Sequence, residues 1–138
     1  MESTLILSAA AKTTAATLLL TIVLVEFGGL YVLRLLTGRQ DATPFQKTFA
    51  RAGHAHAGVL VILALVCQIF ADAAAMEGPL ASVARSGVPL AAILIPSGYF
   101  FSSARRGATE PNRFIYLVYA GAVALAAGVV ALGIGLLS

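Results

Sequence analysis

Residues 14–36 read TAATLLLTIVLVEFGGLYVLRLL, and this run decides the fold. A helix rises 1.5 Å per residue, so about 20 predominantly apolar residues cross the hydrocarbon core of a bilayer. Three further runs have the same character, 49–75, 80–102 and 113–137. The sequence between them is punctuation. Thr37-Gly38 resembles a helix C-terminus, and Thr43-Pro44 an N-cap followed by a first-turn proline. Gly78-Pro79 separates the second and third runs, and Gly107 with Glu110-Pro111-Asn112 the third and fourth. Such short connections make neighbouring helices antiparallel. The expectation is an all-α, integral membrane, antiparallel four-helix bundle. It forms a single domain over residues 1–138, with a helical extension of the first span from Thr4 to Lys12.

Composition agrees. The chain is 59% hydrophobic and 11% charged, where a soluble domain keeps about a quarter of its residues charged. The bilayer is thus the first expected partner. The net charge of +3 resides in connections and helix ends, which is ordinary membrane topology and no footprint for nucleic acid. Arg34, Arg39, Lys47, Arg51, Arg105, Arg106 and Arg113 gather at one end, against Lys12 and Arg85 at the other. By the positive-inside rule the basic end is cytoplasmic, in a bacterial-type plasma membrane, and both termini lie outside. The single cysteine, Cys67, excludes an internal disulfide, a zinc ribbon and a redox pair. Met1-Glu2-Ser3-Thr4 lacks the basic cluster of a signal peptide and reads as retained, without a lipidation motif.

Chemistry concentrates in Arg51-Ala-Gly-His54-Ala-His56-Ala-Gly58, which holds both histidines of the chain. Imidazole at bilayer depth usually faces a cavity, a cofactor or a proton path, and the Ala and Gly neighbours leave room for something bulky. Two residues apart, His54 and His56 point about 200° away from each other around a helix, so they do not easily chelate one ion. Arg51, His54, Gly58, Gln68 and Asp72 fall near one face, which is expected to point into the bundle. His56 shares its face with Phe49, Leu60, Leu63 and Cys67. The bland alternative is that His54 bonds a neighbouring helix and His56 sits near the headgroups.

Glu26 lies well inside the first span, at a depth comparable with His56, and an isolated charge there is costly. It is expected to be protonated, functional, or paired, with Arg51 and Arg34 as the available cations and a Glu–Arg or Glu–His packing contact as the bland alternative. Tyr31, Ser97, Tyr99, Ser102, Ser103, Asn112, Tyr116 and Tyr119 map to the same half, which suggests a polar pocket open toward the basic side. Gly121, Ala124, Gly128, Ala131 and Gly135 form a small-residue seam that permits close packing, within the bundle or between subunits. Pro89 and Pro96 bend the third helix.

From Arg51 to Val61 the chain resembles the helix of heme-copper oxidase subunit I that carries His-x-His, whose two imidazoles bind two hemes on opposite faces. It is also similar to short four-helix membrane proteins that look like a fragment of that subunit. The resemblance implies heme b binding with His54 or His56 as axial ligand, and a second ligand from another subunit if the iron is six-coordinate. It does not extend to oxygen reduction, because the further histidines of an oxidase are missing. The oxidase helix also enters from the outer side of the membrane. Small multidrug-resistance transporters share a Glu in the first helix, but their tryptophan and later aromatic-glycine signatures are absent. The membrane-associated eicosanoid and glutathione enzymes share an Arg-rich second helix, but the accompanying Asn and Glu are missing.

Three functional classes follow. The first is a histidine-centred intramembrane site for heme b or a transition metal, in electron transfer or sensing, with His54 and His56 as ligands. There Gly53, Ala57 and Gly58 make room and Arg51 neutralises a propionate. The second is a proton-coupled small-molecule transporter using Glu26 and His54. The third is a non-catalytic accessory subunit of a homo-oligomer or larger membrane complex. No catalytic set is evident.

Overall fold

The computed structural model describes residues 6–138; residues 1–5, where the expected N-terminal extension begins, lie outside it. Four helices follow one another: α1 (Ala9–Leu36), α2 (Pro44–Ala73), α3 (Gly78–Ser102) and α4 (Tyr116–Leu137), the last entered through a 3₁₀ turn at Arg113–Ile115. All four helical segments are long and apolar enough to cross a membrane, and the protein is an all-α, integral membrane four-helix bundle.

Local chemistry sets the helix starts. Ser8 Oγ accepts the Ala11 N–H and caps α1. Thr43 and Gln46 form a reciprocal capping box, with Pro44 at the first helical position, so α2 starts five residues before the apolar run that begins at Phe49. His54 and His56 consequently sit about 15 and 18 Å along α2, at 1.5 Å per residue, and not the 8–10 Å implied by a start at 49.

Side-chain bonds fix which ends meet. Thr43 Oγ1 donates to the Ala108 carbonyl at 2.5 Å, and Gln46 Nε2 to the Ser103 and Arg105 carbonyls at 3.0 and 3.1 Å. The α1–α2 and α3–α4 connections thus share one end, the basic end. At the other, terminal end, Asp72 accepts from Ser8 N–H (2.7 Å) and Ser8 Oγ–H (2.9 Å) and pairs with Arg85 at 2.7 Å.

The small-residue seam is used inside the bundle. A Cβ on Gly87 of α3 would stand 2.6 Å from the Ala124 carbonyl oxygen and the Gly128 Cα, so the α3 and α4 backbones are in direct contact. Gly121 packs closely on Ile95 of α3, and Gly135 on the Met76 side chain from the α2–α3 connection. Packed around these contacts, Val61, Ala64, Cys67, Ala84, Val88 and Leu132 form the main core.

One buried polar side chain has a backbone explanation. Pro89 has no N–H, so it cannot bond the carbonyl four residues earlier, that of Arg85. Gln68, 1% exposed, supplies the missing donor: its Nε2 lies 2.8 Å from Arg85 O. The sequence places Gln68 on a polar stripe with His54; the structure makes it a repair of the α3 backbone.

α3 packs on both α2 and α4, whereas α1 packs closely on α2 alone. α1 is nevertheless tied to α3 near both ends. The Ser8–Asp72–Arg85 cluster links them at the terminal end. At the basic end Tyr31 meets Phe100 edge-on at 6.2 Å, beside the cluster of Val32, Leu35 and Ala50. Between these ties α1 and α3 stand apart.

Candidate functional site: an apolar cleft with one imidazole

The gap between α1 and α3, floored by α2, is a cleft of about 610 Å³. That volume falls within the roughly 300–1,000 Å³ of small-molecule and cofactor sites. α1 contributes Thr13, Thr14, Thr17, Thr21, Val25 and Gly28; α2 contributes His54, Ala57 and Val61; α3 contributes Pro89, Ala92, Pro96, Ser97 and Phe100. Leu24, Ile93 and Phe101 line it yet remain 68, 64 and 54% exposed, so the mouth opens sideways between α1 and α3. The expected polar pocket facing the basic side is therefore replaced by an apolar cleft facing lipid. Its threonines add little polarity, because Thr13, Thr17 and Thr21 donate to the carbonyls of Ala9, Thr13 and Leu18 and turn their methyl groups outward.

His54 is the cleft's distinctive group. Its ring lies against Gly28 and Gly29 of α1: a Cβ on Gly29 would come 3.1 Å from His54 Cε1 and 3.2 Å from Nε2. Gly29 thus leaves room for the ring, while a Cβ on Gly28 would make ordinary contact with it at 3.6 Å. His54 Nδ1 is buried without a hydrogen-bond partner among the described residues. Gln68 Oε1 and Arg85 Nη1, toward the terminal end, are likewise buried without a partner among the described residues, and Pro96 has no N–H to donate to the Ala92 carbonyl in the cleft wall. Unpartnered buried polar groups cost about 1–3 kcal/mol each. They persist where a ligand or water completes them.

His56 lies elsewhere. It is exposed, its Nδ1 donates to the Ala52 carbonyl at 2.7 Å, and its ring stands 5.3 Å from Tyr99. The two imidazoles do not converge. Among the described residues no group of three or more His, Cys, Asp or Glu side chains is arranged to hold a metal ion. Arg51 is exposed one turn toward the basic end from His54. A Cβ on Gly58 would meet nothing within 4 Å, and Gly53 instead admits Tyr99 and Phe100 of α3. Of the three residues expected to make room, Ala57 borders the cleft.

Glu26 and His54 are not brought into one site. Glu26 is exposed on α1, on the side away from the cleft, and forms neither an ion pair nor a hydrogen bond among the described residues. Arg34 and Arg51, its expected partners, do not pair with it. Sequence reasoning also missed the Asp72–Arg85–Ser8 cluster and the threonine face of α1. The second had a signal, since Thr13, Thr17 and Thr21 recur every fourth residue and fall on one helix face.

No family model matches the chain, and neither the curated proteins nor the solved structures contain a significantly similar one.

Proposed function

We propose that the protein binds heme b in this cleft, with His54 as its axial ligand, in sensing or electron transfer. One observation carries the reading: a half-buried imidazole, one of whose nitrogens has no partner among the described residues, borders an apolar cleft of cofactor size. Heme supplies four equatorial nitrogens of its own, so one histidine suffices. A bare transition ion needs three or four protein donors, and no such group is arranged among the described residues; of the two alternatives we take heme. Arg51, exposed toward the basic end, is available to a propionate. With His56 on another face, one chain offers a single axial ligand, and an open coordination position favours sensing over electron transfer. The separation of Glu26 from His54 leaves the proton-coupled transporter without a supporting contact. On this reading the basic end faces the cytoplasm of a bacterial-type plasma membrane.

Protein purified from heme-replete cells should show a Soret band. His54→Ala should abolish it, while His56→Ala and Glu26→Gln should keep it. A wild-type protein without the band ends the heme reading. Thiol labelling at Gln40→Cys and Glu110→Cys from the cytoplasmic side alone is the expected topology result, and labelling of both from outside reverses it.

A further inference from the structure

Glu26 lies on the exposed face of α1 among Val23, Phe27, Leu30 and Leu33, which are 57, 64, 53 and 54% exposed. A carboxylate turned to hydrocarbon is costly whether charged or neutral, and such residues in membrane helices are normally met by a partner. Among the described residues none meets Glu26. A partner must therefore come from outside the bundle, and it must present a polar group at that depth.

The chain itself carries one. His56 is exposed at a comparable depth, whereas other exposed titratable groups of this half, such as Tyr31, Arg34, Arg51 and Tyr119, lie nearer the basic end. His56 stands about 18 Å from the start of α2, and Glu26 about 15 Å from the end of α1, both measured from the basic end at 1.5 Å per residue. The bond from Nδ1–H to the Ala52 carbonyl orients the ring and leaves Nε2 free of a hydrogen-bond partner among the described residues. A carboxyl group meeting Nε2 shares one proton with it, as acid and imidazole or as carboxylate and imidazolium.

The positions around α2 allow a two-fold arrangement. At 100° per residue, the exposed strip of Ala55, Val59, Ile62 and Val66 lies between the His54 edge, where α1 packs, and the His56 edge. Glu26 projects from α1 on the side away from the cleft, and hence on the flank of this strip. A two-fold axis along the membrane normal, passing beside the strip, sets the α1 flank of one copy against the His56 edge of the other, twice. The glycine seam of α4 does not compete as an interface, because α3 already fills it.

We propose that two copies of this chain pair in the membrane across the exposed face of α2, with Glu26 of each copy bonded to His56 of the other. The proposal is independent of heme binding. It is tested with the full chain in lipid vesicles, labelled at position 138, by energy transfer between copies as protein is diluted in lipid. Wild-type protein should associate. Glu26→Leu and His56→Leu each remove both symmetry-related contacts and should weaken association by about tenfold, since interhelical hydrogen bonds in membranes contribute modestly. An equimolar mixture of the two variants restores one contact, so mixed pairs should form in preference to either variant with itself. Glu26→Gln keeps a hydrogen-bonding side chain and should retain most of the association, which guards against a loss caused by misfolding. A wild-type chain that stays monomeric at every dilution overturns the proposal, as does a mixture without preference for mixed pairs.

Discussion

The terminal and basic halves of the bundle use their polar groups differently. At the terminal end Asp72 is held by Arg85 and by two donors from Ser8, and Gln68 repairs the backbone break at Pro89. In the basic half His54 has an unpartnered nitrogen, and Pro96 leaves the Ala92 carbonyl without a side-chain donor. Both regions hold a proline in α3 and a polar residue in α2. The first is tied together across three helices, although Gln68 Oε1 and Arg85 Nη1 stay buried there without a partner among the described residues; the second lies beside a cavity. The adjoining cavity, and not an unpartnered atom by itself, separates polar residues that hold the fold from those available to a ligand.

The largest effect should come from breaking the closed end. The Asp72 side chain is 4% exposed and its partner Arg85 20%, and removing one member of a buried pair costs about 3–5 kcal/mol. Asp72→Leu should fall near the lower figure, because Arg85 reaches some solvent, and should appear as a lower melting temperature. An unchanged melting point would mean that the cluster contributes nothing to the fold. Gln68→Leu should cost less, about 1–3 kcal/mol, by leaving the Arg85 carbonyl without a donor. Adding Pro89→Ala returns a backbone N–H to that carbonyl, so the double variant should recover much of the loss. Failure to recover would show that Gln68 acts through packing instead.

The open end should respond with the opposite sign. His54→Leu removes an unpartnered buried nitrogen and should leave ligand-free protein as stable as wild type, or about 1 kcal/mol more stable. Destabilisation on the scale of Asp72→Leu would show that His54 has a structural role and would erase the contrast. Gly29→Ala is the smallest and most local change. Its added methyl would stand 3.1 Å from the His54 ring, so the ring must shift by a few tenths of an ångström. Heme occupancy should fall more than melting temperature does.

The same contrast explains what was legible in the sequence. The number of helices and their order follow from four apolar runs and the Gly, Pro and Thr between them, because hydrophobicity and backbone punctuation are local properties. The approximately 200° divergence of His54 and His56 is equally local, since helical geometry fixes it. The start of α2 was less legible, because a capping box can extend a helix through polar residues ahead of its apolar run. The partners of polar residues were least legible. Glu26 is expected to be paired, protonated or functional and Gln68 and Asp72 to lie on a bundle-facing polar stripe, yet Glu26 faces lipid, Gln68 bonds a carbonyl and Asp72 holds the start of α1.

By itself, then, the sequence determined that this protein is four antiparallel helices built for a bilayer, with a strongly basic end and two imidazoles on different faces of the second helix. Tertiary structure alone decided that α1 packs on α2 and stands off α3, which creates the cleft, and that Gly29 leaves room for the His54 ring. It also decided that the glycine seam is spent between α3 and α4. The reason is physical. Apolar length and helical period are written into neighbouring residues. The choice of which helix fills a given groove depends on small differences in packing and hydrogen bonding between segments far apart in the chain.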